Sequence, residues 1–201
     1  PDLVVCILDA SNLERNLYLA GQVLEIGLPV VLALNMVDVA EKKGIRVDAQ
    51  TLSARLGVPV IPIQAHRKLG LEELRTAIIQ AAGRSPQAPP SPFPESFQHE
   101  VASLLGKFAG NGRHSLPRFL VERLLLDTSG YLTSTTLQGV SSELLGEVVA
   151  ARRRLTERGI SIPTMEPTVR YRWVGEIARQ AVSRVEVPKG TWGDTLDRIL
   201  T

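Results

Sequence analysis

Apolar positions along this chain fall into two regimes. In the first third, short continuous apolar runs alternate with segments whose apolar residues recur every three or four positions. Residues 3–8 form one such run and end at Asp9, the pattern of a parallel strand covered on both faces. Ser11 and Glu14 then have capping-box spacing, with Ser11 as N-cap and Glu14 at the third helical position. Leu13, Leu17, Ala20 and Leu24 follow at helical spacing, and Gly27 is the stop signal. A second run, residues 30–34, leads directly into Asn35. Asp48 is placed to cap a helix carrying Leu52 and Leu56, ended by Gly57. Residues 58–63 read as a third strand, and Pro59 and Pro62 suggest a sheet edge or a strand end. Gly70 then opens a helix with Leu71, Leu74, Ile78 and Ala81 on one face. The order β-α-β-α-β-α predicts a parallel sheet with right-handed crossovers.

After residue 83 the pattern changes. Residues 84–96 hold Pro86, Pro89, Pro90, Pro92 and Pro94 among Ser, Gln and Ala, the composition of a semi-rigid linker. Beyond it the strand signal disappears. Residues 97–108, 117–126, 135–158 and 167–185 read as helices, with a short one at 194–200. Pro117 and Pro167 both suit first helical positions. The expected organisation is an α/β unit over 1–83, a linker over 84–96 and a small all-α unit over 97–201. No internal repeat is visible.

Composition narrows the class without naming a function. The 201 residues are enough to bury a core, and no apolar run reaches the roughly 18–20 residues of a membrane helix. The chain starts Pro1-Asp2 in a strand-like run with no basic leader segment, so no signal peptide is expected, and a start on Pro suggests a fragment or processed product. Cys6 has no partner for a disulfide and sits in an apolar run, which favours inert packing and a reducing compartment. Acidic and basic residues balance over 1–90, and the net charge of +2 arises in 91–201. That surplus is too small to argue for nucleic acid as a partner.

The chemistry concentrates in Asn35-Met36-Val37-Asp38, an N-x-x-D element just past the second strand. An Asp there can accept hydrogen bonds from guanine N1–H and the exocyclic amine, while the Asn amide braces the loop and the base. Adenine lacks that donor pair and leaves a desolvated carboxylate unpaired, which is the source of selectivity. The competing reading is a strand-to-turn Asn followed by a capping Asp. Position favours the first, because ligands of open α/β sheets bind at the carboxyl ends of strands. The third strand ends in Gln64-Ala65-His66, where a GTPase places its second guanine loop, usually Ser-Ala-x. A small residue at 65 lets a backbone N–H approach guanine O6. Gln64 stands where Ser is usual, and His66 reads as a loop residue lying near the base. The candidate nucleotide-binding residues are therefore Asn35, Met36, Asp38, Gln64, Ala65 and His66.

Other motifs carry less. No G-x-x-x-x-G-K-[ST] occurs, so no phosphate cradle and no Ser/Thr for Mg²⁺ is legible. Gly106-Lys107 is followed by Phe108 inside a predicted helix. Asp127-Thr128-Ser129-Gly130 matches D-x-x-G but follows a helical run, so a helix C-terminus ending in Gly is the better reading. His66, His99, His114 and Cys6 have no metal-ligand spacing, and no Ser/His/Asp arrangement is present, so no catalytic or metal residue is assigned. Arg152-Arg153-Arg154 with Arg158 reads as a solvated helix end, with phosphate or lipid headgroup contact as a minority reading.

Several of these stretches together resemble the ferrous iron transport protein B (FeoB) family. They are residues 1–5, residues 8–19 (Leu8-Asp9-Ala10-Ser11-Asn12-Leu13-Glu14-Arg15-Asn16-Leu17-Tyr18-Leu19), and residues 31–38. Residues 40–43, 52–60, 170–174 and 194–200 continue the resemblance. In that family Met replaces the usual Lys of N-K-x-D, as Met36 does here, and a Met stem can pack on a purine face without the charge. The resemblance implies the second half of a cytoplasmic G domain over 1–83, followed by a helical domain that tunes nucleotide release. It implies GTP or GDP as ligand at the guanine end. Mg²⁺ and K⁺ are implied only in a complete G domain, whose first motif and switch segments would lie upstream of Pro1. It also implies a parent GTP hydrolase at the cytoplasmic face of the bacterial inner membrane, importing Fe²⁺ through its own transmembrane domain, with this piece soluble and inactive alone. A homo-oligomer stays open. The rival readings are a non-catalytic docking module with a vestigial pocket and a ribosome-associated GTPase fragment. The latter calls for a basic β-containing RNA module that the near-balanced, helical second part does not resemble.

Overall fold

A computed structural model describes residues 1–83, 91–110, 116–135 and 142–185. The order is β1 (Val4–Asp9), α1 (Leu13–Glu25), β2 (Val30–Asn35), α2 (Val37–Lys42), β3 (Ile45–Val47), α3 (Ala49–Leu56), β4 (Val60–Pro62) and α4 (Leu71–Ala82). Then follow α5 (Glu95–Gly110), α6 (Arg118–Leu126), α7 (Tyr131–Thr135), α8 (Ser142–Glu157), α9 (Ile162–Ala181) and β5 (Val182–Arg184). Strands β1, β2 and β4 form a parallel sheet in that spatial order, with Asp9 opposite Asn35 at the carboxyl end. The fold is α/β, a parallel sheet followed by helices.

The sheet core follows from the two-residue period of a strand. Val30, Leu32 and Leu34 of β2 point to one face and pack with Leu13, Leu17, Ala20 and Leu24 of α1 and Leu52 and Leu56 of α3. Val31 points to the other face and packs with Ala77 and Ala81 of α4. Each fully buried Leu contributes about 1.5–3 kcal/mol relative to an exposed one. Strand β1 departs from its expected double cover. Leu8 is buried on the α1 side, but Val5 and Ile7, on the other face, are 39% and 65% exposed. Helix α4 packs against β2 and β4, and so leaves that face of β1 open.

Local signals are read out unevenly. Asp48 caps α3 by accepting from the Gln50 and Thr51 N–H groups, and Gly57 closes it in the left-handed region at φ 72°. The capping box at Ser11 does not form. Asp9 accepts from the Ser11 N–H, a 3-10 turn covers Ala10–Asn12, and α1 begins only at Leu13. Helix α2 and strand β3 have no counterpart in the sequence pattern, because six and three residues are too short for a period to register.

In the second part Pro117 is an N-cap rather than a first helical residue. Pro167 is a clearer correction: it lies inside α9, which opens at Ile162 with Pro163 in its first turn. Pro167 removes one i→i−4 hydrogen bond. Burial of Ile162 and Met165 in the helical core offsets that loss. The stretch read as one helix over 135–158 is helical at Tyr131–Thr135 and Ser142–Glu157. Residues 84–90, His114 and the helix expected at 194–200 lie outside the described residues.

Helices α5, α6 and α8 enclose a second core with Phe97, Leu104, Leu124, Leu125 and Leu155 fully buried. The arginine run divides: Arg153 and Arg158 are exposed as expected, whereas Arg152 and Arg154 take part in this packing. Arg152 donates to the backbone carbonyls of Leu124, Leu125 and Asp127, capping the end of α6. Arg154 pairs with Glu100, which is 3% exposed. Only Arg153 keeps an exposed partner, Glu157.

Helix α9 belongs to both cores. Ile162 and Met165 pack with the helical bundle, whereas Val174, Ile177 and Ala181 pack with α1 and α3. Gly21 of α1 permits the approach, since a Cβ there would stand 2.8 Å from the Trp173 ring. Arg170, 2% exposed, makes a bidentate pair with Glu25 at 2.8 and 2.7 Å and also donates to Glu166. Beyond α9, β5 pairs antiparallel with β3, so the second part is helical apart from this one short strand among the described residues.

Two stability outcomes follow. Arg170→Ala takes the bidentate partner from Glu25 at a largely buried seam, while Glu166 keeps Arg123, and is expected to cost about 3 kcal/mol, read from the urea unfolding midpoint. Hydrogen bonding from Arg154 holds the Glu100 carboxyl below its usual range. Its contribution is therefore full above the unfolded carboxylate value and lost as pH falls through the folded one. Glu100→Gln should flatten the acid limb of the stability–pH curve.

Candidate guanine-recognition site

The polar end of β2 is where the sequence-derived candidates meet. Asn35 is the last residue of β2, and the Met36 backbone turns through the left-handed region at φ 61° to start α2. This turn brings Asp38 into the first turn of α2, where backbone N–H groups favour a carboxylate. The chain can leave the sheet here because Ile63 N–H donates to Leu34 O, holding the end of β4 beside the end of β2.

Asn35 Oδ1 accepts from the Ala65 N–H at 3.2 Å. That N–H is the group the sequence reading directs at guanine O6, and here Asn35 engages it. The loop is tied at its far end by the Gln64–Leu69 bridge, with Lys68 at φ 57°. Gly70, at φ 77°, passes so close to β4 that a Cβ would lie 2.3 Å from Pro62 O. Met36 is 41% exposed at the mouth of the loop.

Two acceptors at this site are buried without a hydrogen-bond partner among the described residues: Asp38 Oδ1 and Gln64 Oε1. Leaving a carboxylate oxygen in that condition is costly, and a ligand offering N–H donors relieves it. His66 Nε2 lies 3.6 Å from the other oxygen, Asp38 Oδ2, with the His66 side chain 54% exposed. These carboxylate and amide oxygens are acceptors of the kind that the N–H edge of a guanine requires. Asn35, Asp38, Ala65 and His66 are joined by direct contacts, Gln64 is joined through its bridge to Leu69, and Met36 flanks them.

Asp9 was not among the candidates, yet it stands opposite Asn35 in the sheet and shapes the next turn by accepting from Ser11 N–H. Its signal was available: a carboxylate closing an apolar run at the same sheet end. Asp127 is committed elsewhere. It accepts from Ser129 and from the Leu132 N–H, so it caps α7, and these hydrogen bonds, Ser129 first, hold its carboxyl below the usual range. Among the described residues, no group of three or more His, Cys, Asp or Glu side chains is arranged to hold a metal.

Residues 1–78 match the sequence profile of ferrous iron transport protein B. Over this part the chain is similar to the FeoB family. The Fe(2+) transporter FeoB of Escherichia coli K12 is 57% identical over 77 residues, which are 38% of this chain and 10% of that protein. The matched segment therefore spans about a tenth of the curated relatives' length. Among solved structures, the cytosolic domain of L. pneumophila FeoB is similar with a TM-score of 0.70 at 27% identity, over 91% of this chain and 69% of that one. An S. thermophilus NFeoB mutant bound to GDP is similar with a TM-score of 0.73 at 26% identity, over 88% of this chain and 67% of that one. The structural likeness to FeoB cytosolic domains thus runs past residue 78 into the helices.

The loop geometry carries its own test. Asn35→Ala removes the acceptor of the Ala65 N–H, and that amide is expected to exchange with solvent about fivefold faster in hydrogen-exchange NMR, for a net hydrogen bond of about 1 kcal/mol.

Proposed function

We propose that this chain is the guanine-reading part of a FeoB-type GTPase together with its helical regulatory segment, in a protein that couples GTP hydrolysis to Fe²⁺ import across the bacterial inner membrane. The observation that carries the base reading is the buried, unpartnered Asp38 Oδ1 at the carboxyl end of β2, inside the FeoB-matching segment. Guanine offers two parallel donors to such a carboxylate, and adenine offers none in that register. The exposed Met36 thioether is available to cover the purine face, and Asn35 keeps the Ala65 loop beside it.

The parts that act on phosphates lie outside this sequence. No G-x-x-x-x-G-K-[ST] is present, and the D-x-x-G at Asp127 is consumed in a turn. Phosphate and Mg²⁺ contacts provide the electrostatic stabilisation of phosphoryl transfer, so this polypeptide selects a base and does not turn GTP over by itself. Mg²⁺ and K⁺ enter only with a complete G domain.

The division into 1–83, a linker over 84–96 and 97–201 draws support from a sheet core and a helical core, with Phe93 and Glu95 already part of the helical side and α9 shared by both cores. A regulatory role for the second part is supported by α9, which packs on α1 and α3. Strand β5 then grips β3, shortly after Asp38 in sequence. Movement of the C-terminal segment is thereby communicated to the element that presents the carboxylate. The transmembrane domain and the transported ion belong to the proposed parent protein.

Calorimetry with GDP and XDP tests the reading. Saturable GDP binding is expected, and Asp38→Asn should shift the GDP/XDP affinity ratio towards XDP by about tenfold or more. An unchanged ratio removes Asp38 from the base site. Absence of any saturable heat instead favours a docking module with a vestigial pocket.

A further inference from the structure

The two oxygens of Asp38 stand in different surroundings. Oδ1 is buried with no hydrogen-bond partner among the described residues, whereas Oδ2 has His66 Nε2 at 3.6 Å. A guanine needs both oxygens, because its N1–H and its exocyclic amine donate side by side. Hypoxanthine offers only the N1–H and is satisfied by one oxygen. We infer that His66 sets the guanine affinity of this site by competing with the exocyclic amine for Asp38 Oδ2, an inference that rests on the guanine reading of Asp38.

Geometry favours competition over support. The contact at 3.6 Å is longer than an ordinary hydrogen bond, so it attracts the carboxylate without satisfying it, and a ligand N–H at normal distance replaces it. The His66 side chain is 54% exposed and can turn out to solvent. Its backbone cannot retreat as easily. Ala65 is held by Asn35, the Gln64–Leu69 bridge closes the loop behind it, and Gly70 is packed against Pro62 O. Residue 66 therefore stays next to Asp38, and only its side-chain torsions yield. Each guanine that binds exchanges the imidazole for the exocyclic amine on Oδ2. A hypoxanthine that takes only Oδ1 makes no such exchange.

Calorimetry on the full chain with GDP and with IDP, for the native protein, His66→Leu and His66→Gln, tests this. His66→Leu is expected to tighten GDP about three- to tenfold while IDP affinity stays within about 1.5-fold. His66→Gln, which keeps a donor, should fall between native and His66→Leu for GDP. Equal changes for the two nucleotides, a loss for both, or no change for GDP overturns the competition, a loss for both marking His66 as a surface on which the base packs. Failure of the guanine reading looks different: Asp38→Asn then leaves the GDP/XDP ratio untouched, or the native chain gives no saturable heat, and the inference falls with it. A readout free of nucleotide checks the contact. The His66 ring signals in NMR should move in Asp38→Asn, and signals that stay in place remove the contact and the inference.

Discussion

Burial of β2 on both faces is the constraint from which the candidate site follows. Val30, Val31, Leu32, Ala33 and Leu34 are all essentially inaccessible to solvent, so every backbone polar group along them must pair with β1 or β4. Polar side chains return only where the strand ends, and they return together: Asn35 on β2, Asp9 beside it on β1, and the Gln64–His66 loop after β4. The site lies at the carboxyl edge because the interior of the sheet offers no place for it. On the proposed guanine reading, the same burial strengthens recognition by Asp38. A carboxylate turned towards a dry sheet end, one oxygen unpaired, gains far more from a matching donor than the same group in water.

The second structural theme is the shared use of α9. Its first turns belong to the helical core and its last turns to the sheet core, with Arg170 clamped to Glu25 between them. A buried arginine with two carboxylate partners is a demanding arrangement, since loss of either side leaves charge in a poorly hydrated seam. That makes it a specific fastener rather than a strong one. Strand β5 continues the connection to β3, and α2 joins β3 to Asp38. Physical continuity therefore exists from the C-terminal end of the described chain to Asp38, through β5, β3 and α2.

Strong periodicity was legible wherever an element exceeded about two turns or filled a strand. Leu13, Leu17, Ala20 and Leu24 revealed α1, and the run before Asn35 revealed β2 with its polar end. The misses have separate causes. Helix α2 and strand β3 are shorter than any period can mark. Ser11 had the right capping residues, but Asp9 reached the turn first. Pro167 resembled a helix start, while Pro163 already occupied that role and packing tolerated the second proline. Arg152 and Arg154 looked solvated because charge in sequence says nothing about which backbone carbonyls or buried carboxylates lie 25 to 54 residues away.

Sequence alone determined the chemistry at the end of β2. N-x-x-D needs only four neighbouring residues, and the spacing of Asn35, Met36 and Asp38 is preserved in any fold that ends a strand there. It also determined the alternation that makes a parallel sheet, because burial on both faces is written residue by residue. Tertiary structure decided what surrounds those groups. It placed the Ala65 N–H on Asn35, set His66 beside one oxygen of Asp38 and left the other alone, and carried α9 across to α1 and α3. Each of these depends on residues about 25 to 145 positions apart meeting at a distance of a few ångströms. Such meetings are fixed by the packing of whole elements, and no local pattern encodes them.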